Sequence, residues 1–330
     1  MLQSEEFKFT LHTDRSTGWD IVALHYEDHN NKDQNKCARI VPAAGANMFS
    51  LMYGSKELLY QPPALKDLPG YFYGTPLLYP TPNRVRNSTF NYNGDTFKFD
   101  SNENGNFLHG LILAQEFEYG KPEVVEAGVK FTSWIHVNSS TAFYKKFPIE
   151  HNLRVEFLLE KDGIRISYTV QNTDDKPLPY GFALHPYFNI FGERKETLLW
   201  IPAEARMEAE ALLPTGTLLP MQHNAYNIFK PTSLDKLELD DVFYGMVPER
   251  PSGYKSLHEH VKVSLQASEE FTHAVVFTPS NEPFFCIENQ TCSADAHNLH
   301  SKGYEKEAHL LIVPPHSSSS GSIKMIIESI

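Results

Sequence analysis

The sequence predicts an all-β fold, one large antiparallel β-sandwich. Three observations lead there: the dominant hydrophobic period is two, turn dipeptides separate strand-like arms, and helical patterns are few. The plainest alternation runs through Ile164, Ile166, Tyr168 and Val170, with Arg165, Ser167 and Thr169 between them. Such a segment buries one face and leaves the other in water. No break in composition and no internal repeat divides the chain, so residues 1–330 read as a single domain. At this length a globular chain buries about 75% of the surface it exposes when unfolded, enough for a large core.

The elements follow in order. Residues 90–99 form two aromatic-rich arms around Asn93-Gly94, a dipeptide suited to the left-handed conformation of a tight hairpin. Residues 130–137 read as a strand. Residues 154–160 pair with the alternating run after them, with Asp162-Gly163 as the turn. Further strands are expected at 260–265, 274–278, 284–288, 309–313 and 322–327. The Pro-rich stretch 62–82 reads as loop, 233–239 as one or two helical turns, and 317–320 with Gly321 as a turn between two terminal strands. Residues 203–212 are rich in Ala and Glu and favour helix by propensity alone.

Composition narrows the function. The net charge is −12. An acidic surface repels nucleic acid and anionic membrane, so neither is an expected partner. The load of 22 Phe and 16 Tyr suits strands and sugar-binding surfaces. Cys37, Cys286 and Cys292 are too few for a disulfide framework, and the latter two lack metal-type spacing. Residues 1–14 carry Glu5 and Glu6 and no apolar run, unlike a signal peptide, and no stretch is apolar enough to span a membrane. A cytoplasmic protein is expected.

Three proton carriers sit in short motifs: His109 in Leu108-His109-Gly110, His185 in the segment 184–189, and Glu288 at the end of the apolar run 284–287. A histidine titrates near neutrality and suits proton transfer. It is also at home as a satisfied core residue, and His109 equally as a turn residue. A carboxylate closing an apolar strand is unusual, because burial costs several kcal/mol unless it is paired. Partial desolvation would raise its pKa and improve it as a base. Gly110 permits close approach of the backbone to a ligand. Arg84 offers a fork of donors to hydroxyls, or an ordinary surface ion pair. Asp240-Asp241 is either solvated charge or a pair of hydroxyl acceptors. His258 and His260 would share one strand face as a metal pair, but no third ligand has suitable spacing, so no metal is expected. Neither a phosphate-binding Gly-rich loop nor a Gly-x-Ser-x-Gly elbow is present.

Taken in order, these residues resemble the aldose 1-epimerase (galactose mutarotase-like) family. Asn83-Arg84-Val85 followed by Leu108-His109-Gly110 is similar to its Asn-Arg-Ile and Leu-His-Gly segments. His185-Pro186-Tyr187-Phe188-Asn189 resembles its His-x-Tyr-Phe-Asn, and Leu213-Pro214-Thr215-Gly216 its Leu-Pro-Thr-Gly. Asp240 with Phe243 resembles its Asp-x-x-Phe. Glu288-Asn289-Gln290 with Asp295-Ala296 and Asn298 resembles its Glu-x-Gln and Asp-Ala-x-Asn. The motifs run from about residue 40 to the C-terminus.

The resemblance implies a β-supersandwich with a cleft on one sheet, and an extended rather than helical 203–212. It implies that Glu288 is the general base on the anomeric hydroxyl and His185 the acid on the ring oxygen. It further implies that Arg84, His109, Asp240 and Gln290 hold the sugar. The substrate would be a small aldose, the assembly a monomer or homodimer, and no cofactor is called for, since anomer exchange involves neither redox nor group transfer. Pro186 and the segment Pro80-Thr81-Pro82 depart from galactose mutarotases, so the sugar stays open, as does the choice between Asp240 and Asp241. Three alternatives stand beside this reading. Arg84 and Arg86 could serve the phosphate of a hexose 6-phosphate. The cleft could bind carbohydrate without catalysis. Glu288 with Asp240 could be a glycosidase pair.

Overall fold

The computed structural model describes residues 5–70, 72–221 and 227–330. Two large sheets dominate it, and every ladder between named strands is antiparallel. The longer sheet has ten strands. At its centre His151–Glu160, Gly163–Asn172, Ser318–Ser329 and Val261–Ala267 lie side by side. The second has eight strands. It runs from Leu213–Pro220 through Ala205–Glu210, Asp240–Tyr244, His273–Phe277 and Phe284–Gln290 to the short pieces Ala183–Leu184 and Leu77–Leu78. A five-stranded sheet from the N-terminal region begins with Glu5–Thr13 and Asp20–Asp28.

The two large sheets share their inner faces. Phe131, Phe157 and Ile166 of the first belong to the same buried cluster as Phe243, Phe285 and Ile287 of the second. Alternation at period two decides this. In Gly163–Asn172, Ile164, Ile166, Tyr168 and Val170 are buried, while Arg165, Ser167 and Thr169 are half-exposed.

Most expected strands are present, with informative shifts. Asn93 and Gly94 both have positive φ and join Thr89–Tyr92 to Asp95–Lys98, with the Phe90 and Phe97 rings stacked 4.5 Å apart. The turn expected at Asp162-Gly163 lies one residue earlier. Glu160 pairs with Gly163, so Lys161 and Asp162 form the turn. Gly163 starts the next strand where a Cβ would stand 1.9 Å from the Met325 carbonyl oxygen. No turn forms at 317–321. Ser318–Ser329 is one continuous strand, hydrogen-bonded to Gly163–Asn172 on one side and Val261–Ala267 on the other. Its Gly321 passes against the rings of Tyr168 and Phe271, where a side chain would collide. Small residues there mark close packing, not chain reversal. The Pro-rich stretch 62–82 contains a short 3₁₀ turn, Leu65–Asp67, and the strand Leu77–Leu78, which the sequence did not signal. Tyr71 of that stretch lies outside the described residues.

Residues Ala205–Glu210 are extended and form a two-residue hairpin with Leu213–Pro220. Pairing on both sides overrides helix propensity here. Leu234–Lys236 forms a single 3₁₀ turn. His258 and His260 do not share a strand face. Both lie in the turn between Ser252–Ser256 and Val261–Ala267, where His260 has φ 53°. His258 faces Glu196 and Glu259 instead, at 3.6 and 3.9 Å. All three cysteines are unpaired thiols. No helix among the described residues is long and apolar enough to cross a membrane.

Candidate active site

The site begins with strand Phe284–Gln290. Phe285 and Ile287 point into the main core, so Cys286, Glu288 and Gln290 point to the other face. Residues directly opposite across an antiparallel ladder share a face. Asp240 lies opposite Phe277, Phe277 opposite Cys286, and Cys286 opposite Tyr187. One such row therefore places Asp240, Phe277 and Tyr187 around Glu288. On this face they line a cavity of about 140 Å³ together with His185, Arg84, His109 and Glu103.

His185 follows the strand Ala183–Leu184 and donates its backbone N–H to the Pro76 carbonyl. Its Nε2 lies 3.2 Å from Glu288 Oε1 and 3.2 Å from the Tyr187 hydroxyl. The Tyr187 ring stacks on the imidazole, 4.5 Å between centroids and 6° from parallel. The other carboxylate oxygen of Glu288 accepts from Gln290 Nε2 at 3.1 Å. Gln290 is fully buried behind Glu288 and is not among the cavity-lining residues, so it orients the carboxylate rather than facing a ligand.

Burial decides the protonation of this pair. Desolvation pushes the His185 imidazole down to about 3. Desolvation, reinforced by the Asp240 charge, pushes Glu288 well above the usual carboxylate range. Both shifts favour neutral groups. A neutral imidazole beside a carboxylic acid carries one mobile proton, and so does an imidazolium beside a carboxylate. The pair therefore exchanges these two forms without gaining or losing a proton.

Arg84, His109 and Asp240 also line the cavity. Asn83 sits in the left-handed region at φ 57°, which Asn tolerates. Its carbonyl accepts from the His109 N–H at 2.9 Å, while its side-chain oxygen accepts from the Arg84 N–H at 2.8 Å and from Arg84 Nη1 at 3.3 Å. One residue thus sets Arg84 and His109 side by side, helped by the pairing of Arg84 with Leu108. Gly110 has φ 76°, and a Cβ there would stand 2.4 Å from the Tyr79 carbonyl oxygen. Its lack of a side chain admits the neighbouring backbone, not a ligand. The His109 ring meets His185 edge-on, 5.0 Å between centroids. Burial drives His109 well below its ordinary value, with the charges of His185 and Arg84 adding to the effect.

The Arg84 guanidinium is already engaged. Nε donates to both Glu103 oxygens at 3.1 and 3.0 Å, and Nη2 donates to Oε1 at 2.7 Å. Asp240 Oδ2 lies 3.8 Å from Nη2. Burial holds the Asp240 carboxyl above its ordinary value, with Arg84 pulling the other way. Asp241 turns from the cavity to Arg206 at 2.9 Å, so Asp240 is the member of the acid pair that faces the site. Arg86 turns to Asp295, which accepts from its backbone N–H at 2.9 Å. Asp295 also accepts from Asn298 at 2.7 Å and donates its N–H to the Arg84 carbonyl. The Asp295-Ala296-x-Asn298 motif thus latches the Arg84 segment in place.

The structure thus brings five of the six expected residues to one cavity, with Gln290 behind it. Six further lining residues had no role assigned from sequence: Phe72, Asn83, Glu103, Leu108, Tyr187 and Phe277. Tyr187 was legible, two residues from His185 in an extended segment. A buried Arg84 calls for a counter-charge, yet nothing in the turn 102–105 marks Glu103 as its source. Among the described residues the one group of three side chains close enough to share a metal is Glu6, Glu27 and His29, on the surface away from this cavity.

Comparison with known proteins gives the chain its family. The family described as aldose 1-epimerase matches residues 30–325. A galactose mutarotase of Sus scrofa is 27% identical over 159 residues, 47% of this chain and 44% of that protein. An aldose 1-epimerase of Escherichia coli (strain K12) is 30% identical over 114 residues, 34% of this chain and 32% of that protein. The matches therefore span less than half the length of these relatives. A solved galactose mutarotase-like protein from Clostridium acetobutylicum has the same fold, with a TM-score of 0.87 at 20% identity over 98% of this chain and 99% of that one. By the family match across most of its length, the chain belongs to the aldose 1-epimerase family.

Proposed function

We propose that the cavity interconverts the α and β anomers of a neutral aldose by opening and closing the sugar ring. The observation that carries this reading is the 3.2 Å contact between His185 Nε2 and Glu288 Oε1. The anomeric oxygen O1 and the ring oxygen are bonded to the same carbon. An enzyme that takes a proton from one and gives a proton to the other needs its base and acid side by side.

The steps balance. The Glu288 carboxylate takes the O1 proton, the O1 lone pair forms the C1=O1 double bond, and the bond from C1 to the ring oxygen breaks. The ring oxygen takes the proton of the His185 imidazolium. The pair now holds one proton, as it did before, but on the other member. The C1–C2 bond rotates, and the ring oxygen closes on the opposite face of C1 as the two groups reverse roles. Arg84, His109 and Asp240 are suited to hold hydroxyls, with the exposed ring of Phe72 and the half-buried ring of Phe277 as apolar walls.

The phosphate alternative rests on Arg84 and Arg86, and their surroundings favour a neutral substrate. Arg86 is paired with Asp295, and Arg84 is paired with Glu103 near Asp240. A binding protein without catalysis has no use for the buried His185–Glu288 pair.

The test is polarimetry on freshly dissolved α-D-glucose and α-D-galactose. Wild-type protein is expected to speed the loss of optical rotation, and Glu288→Gln to lower that rate roughly 10²–10⁴-fold. No acceleration with a panel of neutral aldoses would refute the reading. Equal or better action on glucose 6-phosphate would move it to a sugar phosphate.

A further inference from the structure

Among the described residues Arg84 is the one Arg or Lys side chain lining the cavity, and it is not available as a bare cation. Its guanidinium sits fork to fork with the Glu103 carboxylate through three contacts of 2.7–3.1 Å. That is the arrangement in which an arginine grips a carboxylate or phosphate ligand. Glu103 belongs to the chain itself and comes from the irregular segment between Asp95–Lys98 and Phe107–Leu108. An isolated bridge between Glu103 and Asn106 holds that segment, and Asn102 braces it, accepting from the Leu108 N–H at 2.7 Å and donating to the Leu108 carbonyl at 3.1 Å. With Asp240 3.8 Å from the same guanidinium, two carboxyl groups flank this one cation. The side chains of Arg84 and Glu103 are only 10% and 21% exposed, so water screens this charge weakly.

We propose that Glu103 is a specificity-determining residue. It occupies Arg84 as a built-in anion and thereby excludes aldoses that carry a carboxylate or phosphate, leaving the remaining guanidinium donors for neutral hydroxyls. The inference rests on the proposed action on a neutral aldose and adds the residue that enforces neutrality. Like charges brought together in a binding site suppress the wrong partner strongly, and Glu103 is placed to supply that repulsion.

The experiment measures anomer exchange by NMR on glucose, glucuronate and glucose 6-phosphate, with wild type, Glu103→Gln and Glu103→Ala. Calorimetric binding of glucuronate is measured in parallel. Wild type is expected to favour glucose over both anions. In the variants the kcat/KM ratio of glucuronate to glucose is expected to rise roughly tenfold or more, with tighter glucuronate binding. The Ala variant also vacates the space of the carboxylate, and a gain for glucose 6-phosphate only there would mark size as the further limit. Because each variant is read as a ratio between substrates, loss of folded protein cannot imitate the result. An unchanged ratio and unchanged glucuronate binding, or wild-type action on glucuronate equal to that on glucose, would overturn the inference. Failure of wild type on every neutral sugar would instead defeat the functional reading, and glucuronate binding would still decide the role of Glu103.

Discussion

At the scale of the residue, the catalytic proposal turns on one nitrogen. His185 Nε2 is shared by Glu288 and Tyr187, each at 3.2 Å. A hydroxyl that donates to a neutral imidazole stabilises the neutral form and makes the imidazolium a stronger acid. Tyr187→Phe keeps the stacked ring and removes only that hydrogen bond. We expect kcat to fall roughly 2–10-fold, as the loss of one hydrogen bond implies. The alkaline limb of the kcat–pH profile should move upward, because the pair then releases its proton less readily. A drop in rate with an unmoved limb would make Tyr187 a packing residue only.

At the scale of the element, the strand Phe284–Gln290 shows how a fold makes a site. Its alternation spends Phe285 and Ile287 on the core and turns Glu288 to the cavity. A slip of one residue would bury the carboxylate between the sheets and expose Ile287. The hairpin between Ala205–Glu210 and Leu213–Pro220 is less well matched to its sequence. Both turn residues have positive φ, Ala211 at 49° and Leu212 at 65°. An L-residue with a Cβ pays roughly 1–2 kcal/mol in that region, and Asn-Gly is the dipeptide that such two-residue hairpins favour. Replacing Ala211-Leu212 with Asn-Gly should therefore stabilise the protein by about 1–2 kcal/mol, read as a higher urea midpoint at unchanged slope. A lower midpoint would mean that the exposed Leu212 contributes more by packing than the turn loses by strain.

At the scale of the whole molecule, burial of histidines ties stability to pH. Outside the site, desolvation pushes His273 and His297 down to about 3 and His151 down to about 4. Their unfolded value is about 6.5, so below that pH the unfolded chain takes up protons that the folded chain refuses. The stability these groups contribute is full above pH 6.5 and is lost as the pH falls toward their folded values. Each costs roughly 1.4 kcal/mol per pH unit in that window. Glu288 has the opposite sign, since its raised value gives stability in acid that is lost as the pH rises. Three histidines outweigh it below neutrality. Calorimetry should show Tm falling by several degrees from pH 7 to pH 5, and a flat profile would contradict the buried neutral histidines.

Much of the fold and most of the site were legible in the sequence because both rest on local rules. Period-two alternation around Ile164, the Asn93-Gly94 turn and the apolar run ending at Glu288 are short-range signals, and a strand needs little more to announce itself. The ordered motifs around Arg84, His109, His185, Asp240 and Glu288 named the residues that the cavity gathers. Tertiary structure decided what depends on partners distant in the chain. It made Ser318–Ser329 a strand by giving it two neighbours, extended Ala205–Glu210 against helix propensity, and separated Asp240 from Asp241 by the placement of Arg206. It also set Glu103 on Arg84, a contact between residues 19 apart that no motif records. Ion pairs and ladder partners are chosen by proximity in space, and proximity in space is what a linear pattern does not encode.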